Sequence, residues 1–321
     1  MRFRHLGKTG FRVSEVGFGA WGIGKSQWVG AEDAESLRTL SAARDAGINF
    51  FDTALAYGDG HSEQLLARAF GNSRDIVIAS KVPPKDLIWP AQEGSALREV
   101  FPPDYVLTSL DTTLRNLKRD QVDIYQFHVW NDAWASQSEW QESVRKMRDS
   151  GKVRAVGISI NDHQPANSLK ALATGLVDTV QVIYNIFDQS PEDELFPYCT
   201  KHKIGVIARV PFDEGSLTGK IGPETKFEPN DFRNQYFGGD RRREVWEHVQ
   251  KIQRDTGVPV QELPELALRF CLSDAAVSSV IPGMRSPAHA RANAEASQKG
   301  ALSPEMIKKL RSSRWVRNYY D

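Results

Sequence analysis

Hydrophobic residues along the chain fall into short runs that are separated by amphipathic stretches. The runs are typical of buried strands and begin near residues 16, 48, 76, 123, 154, 179, 205 and 277. The stretches between them have helical spacing at 33–46, 62–70, 104–117, 137–149, 163–174, 191–202 and 241–256. Eight repeated strand–helix units predict parallel strands closed into an α/β fold, the (β/α)₈ or TIM barrel.

An open, doubly wound sheet is the alternative architecture. It needs a glycine-rich phosphate turn with the spacing G-x-G-x-x-G after its first strand. The segment GFGAWGIG is rich in glycine, but no helical pattern follows it directly, as that turn would require. The pattern therefore favours the barrel.

Three segments add to the barrel pattern. The opening RFRHLGKTGFRVSEVGFG predicts an N-terminal β-hairpin, because alternating residues flank turn positions at Gly7 and Gly10. Long loops follow strand 3, from Val82 to Pro103, and strand 7, from Pro211 to Asp240. Because loops after barrel strands shape substrate pockets, we expect both near the site. No linker divides residues 1–321, so we expect a single domain.

Charge and composition exclude several classes of partner. The chain has 41 basic and 41 acidic residues, so no net field favours nucleic acid or an anionic membrane. The start, MRFRHLGKTG, lacks an apolar signal core, and no apolar run is long enough to span a bilayer. With two distant cysteines, Cys199 and Cys271, we expect free thiols and a cytoplasmic location.

The candidate chemistry lies at the ends of three consecutive strands. Asp52 ends GINFFD and Tyr57 follows it, Lys81 ends DIVIASK, and His128 ends VDIYQFH. Such strand ends meet at one mouth of a barrel, where these folds keep their active sites. A lysine ammonium held by a carboxylate stabilises a phenolate, and a neutral histidine can donate to a substrate oxygen. The set predicts protonation of a carbonyl oxygen by Tyr57.

Each residue also has a structural interpretation. Asp52 and Lys81 could be an ion pair at the rim, Tyr57 a surface residue, and His128 a hydrogen-bonded rim histidine. Asp52 and His128 are also metal-ligand types, but Lys81 beside them would repel a cation, so no metal is expected.

The chain resembles an aldo-keto reductase along nearly its whole length. The matching segments are RHLGKTGFRVSEVGFGAWGIG, GINFFDTALAYGDGHSE, IVIASKV, SLDTTLRNLKRDQVDIYQFH, VRAVGISIND, VQVIYNIFDQ, GSLTGK, LALRFCL and VIPGMRSPAHARAN. The resemblance implies that Asp52, Tyr57, Lys81 and His128 form a catalytic tetrad in which Tyr57 is the general acid-base. It also implies a barrel that binds NAD(P)H without a dinucleotide-binding domain.

A cofactor site follows partly from residues and partly from the resemblance. Ser286 and Pro287 suit the start of a helix, and a helix N-terminus beside Arg285 favours a phosphate. The guanidinium favours NADP(H) over NAD(H), although NAD(H) stays open. The resemblance implies cofactor contacts to the adenosine phosphate, the pyrophosphate and the nicotinamide carboxamide. Those residues are Gly283, Arg285, His289 and Asn293; Gly215, Leu217, Gly219 and Lys220; and Ser159 and Gln181.

Two positions depart from the family pattern. The usual Ser-Asn pair is Ser159-Ile160-Asn161 here, and a shift of one residue changes the strand face that the asparagine occupies. At the end of strand 7, Arg209 replaces an aromatic residue that stacks on the nicotinamide. Our hypothesis is that its charge favours the reduced, uncharged ring. Equal ratios of NADPH to NADP⁺ affinity in Arg209→Tyr and the unmodified protein would contradict it.

Aromatic residues in the expected loops predict the substrate pocket, although each could serve packing instead. They are Trp21, Trp89, Trp130, Phe212 and Tyr236. Aromatic walls suit aldehydes, ketones and sugar faces. We therefore expect an NADPH-dependent oxidoreductase that interconverts a small carbonyl and an alcohol. The alternatives are a cofactor-binding regulatory subunit with little turnover and a metal-dependent barrel enzyme. Substrate, direction and oligomeric state are left open.

Overall fold

The computed structural model describes residues 1–25, 28–160 and 162–319. Its strands are β1 (Phe3–His5), β2 (Arg12–Ser14), β3 (Phe18–Gly19), β4 (Phe50–Asp52), β5 (Val77–Val82), β6 (Val122–Phe127), β7 (Val153–Ser159), β8 (Thr179–Ile183), β9 (Gly205–Arg209) and β10 (Val277–Val280). From β3 to β10 each strand pairs in parallel with its neighbour in sequence. The sheet closes on itself through parallel bridges from Val16 to Val280 and from Gly19 to Gly283. The predicted (β/α)₈ barrel is confirmed.

The hairpin of β1 and β2 covers the N-terminal end of the barrel. The two strands are antiparallel, with Arg4 opposite Val13. Leu6, Phe11 and Val13 are buried in one cluster with side chains from the barrel interior, such as Phe50 and Ile124. The predicted hairpin is thus confirmed, and it leaves the opposite, C-terminal end of the barrel as the open mouth.

Helices surround the strands. They are α1 (Asp33–Asp45), α2 (His61–Phe70), α3 (Leu97–Val100), α4 (Pro103–Leu117), α5 (Ser138–Asp149), α6 (Leu169–Ala173), α7 (Leu195–His202), α8 (Arg233–Tyr236), α9 (Arg241–Thr256), α10 (Leu263–Ser273), α11 (Pro287–Lys299) and α12 (Pro304–Arg311). Helix α4 shows why they form: Val106, Leu110 and Leu114 recur every four residues and are buried against the barrel. Its last residue is followed by Lys118 in the left-handed region, which ends the helix.

The prediction differs from the structure in some helices. The pattern at 163–174 forms a helix only at α6, and that at 191–202 is a short 3₁₀ turn at Ser190–Glu192 followed by α7. Helices α10 and α12 were absent from the prediction. The long loops after β5 and β9 are confirmed, and they carry the short helices α3 and α8. Within the described part of the chain, every helix is too short or too polar to cross a membrane.

Candidate active site

Three neighbouring strands deliver Asp52, Lys81 and His128 to the mouth of the barrel. Asp52 is the last residue of β4, Lys81 the last but one of β5, and His128 follows β6 directly. Because the three strands are parallel and adjacent, their C-terminal ends lie side by side. Tyr57 lies in the turn after β4, which places its hydroxyl over the same point.

Lys81 is the centre of this arrangement. Its Nζ donates to Asp52 Oδ1 at 2.5 Å and to the Thr53 carbonyl at 2.7 Å, and lies 3.4 Å from the Tyr57 hydroxyl. The side chains of Lys81 and Asp52 are 0% and 2% exposed. An ammonium held this firmly, out of water, is a strong local charge beside the phenol. The positions fit the stabilisation of a Tyr57 phenolate.

Two glutamines hold the second oxygen of Asp52. Gln126 Nε2 donates to Oδ2 at 3.2 Å, and Gln181 Nε2 donates to it at 2.7 Å. Both amides are buried. Asp52 therefore cannot turn away from Lys81, since both of its oxygens are engaged. Gln181, predicted to bind the nicotinamide carboxamide, lies in the barrel beside the tetrad and uses its NH₂ group on this carboxylate.

His128 is placed to act as a neutral imidazole. It is 6% exposed, and its ring is 5.6 Å from the Tyr57 ring and 5.7 Å from the Trp89 ring, measured between centroids. Burial holds the His128 pKa well below its usual value, and the charges of Lys81 and Arg209 lower it further. At neutral pH the ring is therefore uncharged and can donate one N–H to a substrate oxygen.

A cavity of about 1090 Å³ opens over Tyr57 and His128. Of the residues predicted for the substrate pocket, Trp21, Trp89 and Tyr236 line it, and Trp21 lies edge-on to Phe232 at 5.2 Å. The cavity is large enough for a small ligand together with part of a cofactor.

Trp130 and Phe212 are outside the lining of this cavity. Trp130 is 2% exposed, donates through Nε1 to Asp132 at 3.2 Å, and packs against Trp140 at 5.0 Å. The sequence placed it two residues beyond His128, but the chain turns after β6 and carries the ring into the layer between strands and helices. Phe212 packs against the core. The structure thus places these two predicted pocket residues away from the cavity that the other three line.

The start of α11 forms a basic corner near the end of β10. Ser286 caps the helix by accepting a hydrogen bond from the His289 N–H at 3.2 Å, and Pro287 is its first residue. Burial lowers the His289 pKa, and the nearby charges of Lys220 and Arg285 lower it further. Two cations thus lie near this helix N-terminus, a combination suited to phosphate.

Arg285 is half-buried beneath the loop that follows β3. Its Nη2 donates to the Val29 carbonyl at 2.6 Å, and a side chain at Gly30 would lie 3.4 Å from the same nitrogen. Gly283 is at the barrel seam opposite Gly19, and Asn293 is on the buried face of α11. The structure thus brings these predicted cofactor residues to one edge of the mouth.

The loop after β9 has an unusual backbone. Val210, Asp213 and Glu214 have φ values of 55°, 46° and 53°, and Gly215 and Gly219 also have positive φ. Non-glycine residues adopt this region rarely, and a β-branched valine does so at a cost. Asp213 holds the loop by accepting hydrogen bonds from Tyr236, Ser216 and Arg241. Leu217, predicted to contact the cofactor, is 1% exposed and packs in the hydrophobic core beneath this loop.

The structure describes three of the residues predicted to contact the nicotinamide. Ser159 ends β7 opposite Gln181, and both are buried in the barrel. Arg209 ends β9 and lines the cavity with Ile183 and Glu214. Asn161 lies outside the described residues, so its strand face stays a prediction.

A model of the aldo/keto reductase family matches residues 15–314. The chain belongs to the aldo/keto reductase family. It is 29% identical over 301 residues to the aldo-keto reductase YhdN of Bacillus subtilis strain 168, and the match covers 92% of this chain and 88% of that protein. The family is one of oxidoreductases that act on small-molecule carbonyl compounds with a nicotinamide cofactor.

Solved structures of two further proteins share the fold of this chain. The chain superposes on the aldo-keto reductase AKR11C1 of Bacillus halodurans in its holo form with a TM-score of 0.77 and 26% identity, covering 98% and 96% of the two chains. For the glycerol dehydrogenase AKR11B4 of Gluconobacter oxydans the TM-score is 0.76 and the identity 26%, with 97% and 94% covered.

The structure adds residues that the sequence reasoning did not single out. Gln126 was detectable, because it is two residues before His128 and strand side chains alternate between faces. Glu214 and His163 line the cavity from loops, where no periodicity marks which side chains point inward. Only the three-dimensional arrangement of these loops brings the two side chains to the cavity.

Proposed function

We propose that this protein is an NADPH-dependent aldo-keto reductase that interconverts an aldehyde or ketone and the corresponding alcohol. The observation that carries the proposal is the Lys81 ammonium, held by Asp52 and placed 3.4 Å from the Tyr57 hydroxyl. Beside it lie a neutral histidine and a cavity with aromatic walls.

Each residue of the tetrad has one task in this proposal. His128 donates a hydrogen bond to the carbonyl oxygen and so fixes its position. Tyr57 gives its proton to that oxygen as negative charge develops there, and Lys81 stabilises the phenolate that remains. Asp52 holds Lys81 in place. In the reverse direction, Tyr57 takes the proton from the alcohol.

The residues present suit a nicotinamide dinucleotide. Lys220 and Arg285 provide positive charge near the capped start of α11, where a phosphate gains from both cations and free N–H groups. Ser159, Gln181 and Arg209 would hold the nicotinamide end, and the loop from Gly215 to Lys220 would cover the pyrophosphate. When bound, the reduced nicotinamide supplies the hydride. Arg285 supports a preference for the 2′-phosphate of NADPH.

The substrate proposed is a small carbonyl compound of the sugar-derived or aromatic type. Trp21, Trp89 and Phe232 give the cavity flat apolar faces, which pack well against aromatic rings and the faces of sugars. A structural relative is a glycerol dehydrogenase, so a polyol-related substrate is compatible with this barrel.

Replacing Tyr57 by Phe tests the assignment directly. We expect a loss of roughly three orders of magnitude or more in kcat, since the proton donor is removed, while NADPH affinity stays within about twofold. Rates come from NADPH oxidation with a panel of aldehydes, and affinities from fluorescence titration. Tyr198→Phe, on α7 against His202, serves as the matched control.

The results separate the candidate functions. Turnover retained in Tyr57→Phe would refute the tetrad assignment. Tight NADPH binding by the unmodified protein, without reduction of any aldehyde or ketone, would instead favour a cofactor-binding regulatory subunit.

A further inference from the structure

A second histidine lies in the cavity wall. His163 follows β7 by four residues and lines the same cavity as Tyr57 and His128. Its side chain is 7% exposed, and its Nδ1 is 2.6 Å from Asp188 Oδ2. The tetrad mechanism does not use this residue.

Asp188 fixes the orientation of the imidazole. Its backbone N–H donates to Asn185 Oδ1 at 2.9 Å, and its own Oδ1 accepts from the Ser190 hydroxyl at 2.5 Å. Asn185 in turn donates to the Val210 carbonyl at 2.9 Å. The carboxylate is therefore part of a hydrogen-bonded turn after β8, and it engages Nδ1 of a ring that borders the cavity. This leaves the Nε2 edge of His163 to meet a bound molecule.

The hydrogen-bonding chemistry of His163 Nε2 favours a hydroxyl group as its ligand. With Nδ1 bound to a carboxylate, Nε2 accepts a hydrogen bond when the ring is neutral and donates one when it is charged. A hydroxyl group is both a donor and an acceptor, so it can bind Nε2 in either state. A carboxylate or phosphate would bind one state, and an unsubstituted alkyl chain would leave a buried nitrogen without a partner.

We propose that the His163–Asp188 pair binds a hydroxyl group of the substrate, so that the enzyme prefers hydroxyaldehydes and hydroxyketones over simple carbonyl compounds. The proposal rests on the carbonyl reduction proposed above, with the carbonyl oxygen at Tyr57 and His128. His163 is a binding residue for a second group of the same molecule, and Asp188 is a positioning residue.

The test compares D-glyceraldehyde with propanal, which have three carbons each and differ in hydroxyl groups. The readout is the ratio of their kcat/KM values with saturating NADPH, and intrinsic reactivity cancels when variants are compared with the unmodified protein. In His163→Asn the amide takes the place of Nδ1, whereas in His163→Gln it takes the place of Nε2. Asn thus keeps the Asp188 contact, and Gln keeps a polar group toward the cavity.

We expect His163→Asn to lower the glyceraldehyde preference about tenfold, the order of one lost hydrogen bond, mainly through a higher KM for glyceraldehyde. His163→Gln should keep most of the preference. The matched control is His61→Gln, since His61 pairs with Asp33 through Nε2 at 2.9 Å, a contact that Gln keeps, and does not line the cavity. Its ratio should equal that of the unmodified protein.

The outcomes distinguish the two proposals. An unchanged glyceraldehyde-to-propanal ratio in His163→Asn, or a larger fall of that ratio in His163→Gln than in His163→Asn, would show that the pair is structural. Either result would overturn this inference, while reduction of propanal would still support the proposed function. If the unmodified protein reduces neither aldehyde nor any other carbonyl compound, both proposals fail. Circular dichroism and NADPH titration establish that each variant is folded.

Discussion

At the scale of single residues, Glu214 shows how the cavity alters an ordinary side chain. It is half-buried in the loop after β9, beside Arg209. Burial raises the pKa of its carboxyl group from 4.5 to about 7; the neighbouring Asp213 raises it too, and Arg209 opposes the shift. The folded protein thus binds a proton that the unfolded chain has released between these two values.

This proton makes stability depend on pH. The pKa of Glu214 is higher in the folded protein than in the unfolded chain. The contribution of Glu214 to stability is therefore complete below about pH 4.5 and is lost as the pH rises through about 7. Between pH 5 and pH 8, we expect the unmodified protein to lose roughly 1–3 kcal/mol of unfolding free energy relative to Glu214→Gln. Urea unfolding at both pH values measures this. Glu224→Gln, exposed in the same loop, is the control, and parallel curves for the protein and Glu214→Gln would contradict the expectation.

Residue-scale reasoning from sequence was strongest where strands end. Asp52, Lys81 and His128 could be placed because strand ends in a parallel barrel share one rim. Trp130 could not be placed, because nothing in the sequence indicates that the turn after β6 carries its ring away from the cavity and against Trp140. His163 was missed for a similar reason, since its partner Asp188 is 25 residues away and belongs to another loop.

At the scale of elements, the proposed preference for NADPH over NADH depends on the start of α11. Arg285 directly precedes the Ser286 cap. Arg285 and Lys220 both lie near His289, since the charge of each lowers the pKa of that histidine. A guanidinium forms charge-assisted hydrogen bonds with a phosphate.

Arg285→Leu should therefore weaken NADPH binding by roughly 10- to 100-fold and leave NADH binding within about twofold. Titration of each cofactor measures both affinities. Lys299→Leu removes a cation from the other end of the same helix, where it pairs with Glu265, and should change neither. An equal loss for NADPH and NADH in Arg285→Leu would mean that the residue supports the fold of the corner instead.

Helix boundaries were predicted well where one face is clearly apolar, as in α4, and poorly elsewhere. Residues 163–168 have helical composition, but Asp162 and Ser168 accept or donate local hydrogen bonds that hold turns there instead. Helix α10 was overlooked because its sequence, LPELALRFCLS, is apolar on most sides, so it lacks a polar face to mark the period.

At the scale of the whole molecule, closure of the barrel depends on a short seam, the contact between β3 and the segment that contains β10. Strand β3, the first strand of the barrel, has only two residues. A bridge from its Gly19 to Gly283 joins it to the segment after β10, the last strand. A Cβ atom on Gly19 would lie 2.7 Å from the Ile281 carbonyl oxygen, whereas one on Gly283 would meet nothing within 4 Å. The two partners of one bridge thus differ in the space around them.

Gly19→Ala should therefore lower the unfolding free energy by about 1–3 kcal/mol, the usual cost of overpacking, because backbone must shift to make room. Gly283→Ala should leave it nearly unchanged. Thermal and urea unfolding of the two variants provide the comparison. Equal stability of both would show that the seam can widen freely.

The buried pair of Lys81 and Asp52 has a consequence for the response of the enzyme to ionic strength. Its two charges cancel and are sealed from water, so counterions cannot approach either one closely. Lys220 is exposed to solvent at the other edge of the mouth, and Arg285 is partly so. In the proposed function, added salt therefore weakens the attraction of these two cations for a phosphate-bearing cofactor, while proton transfer from Tyr57 remains shielded within the barrel.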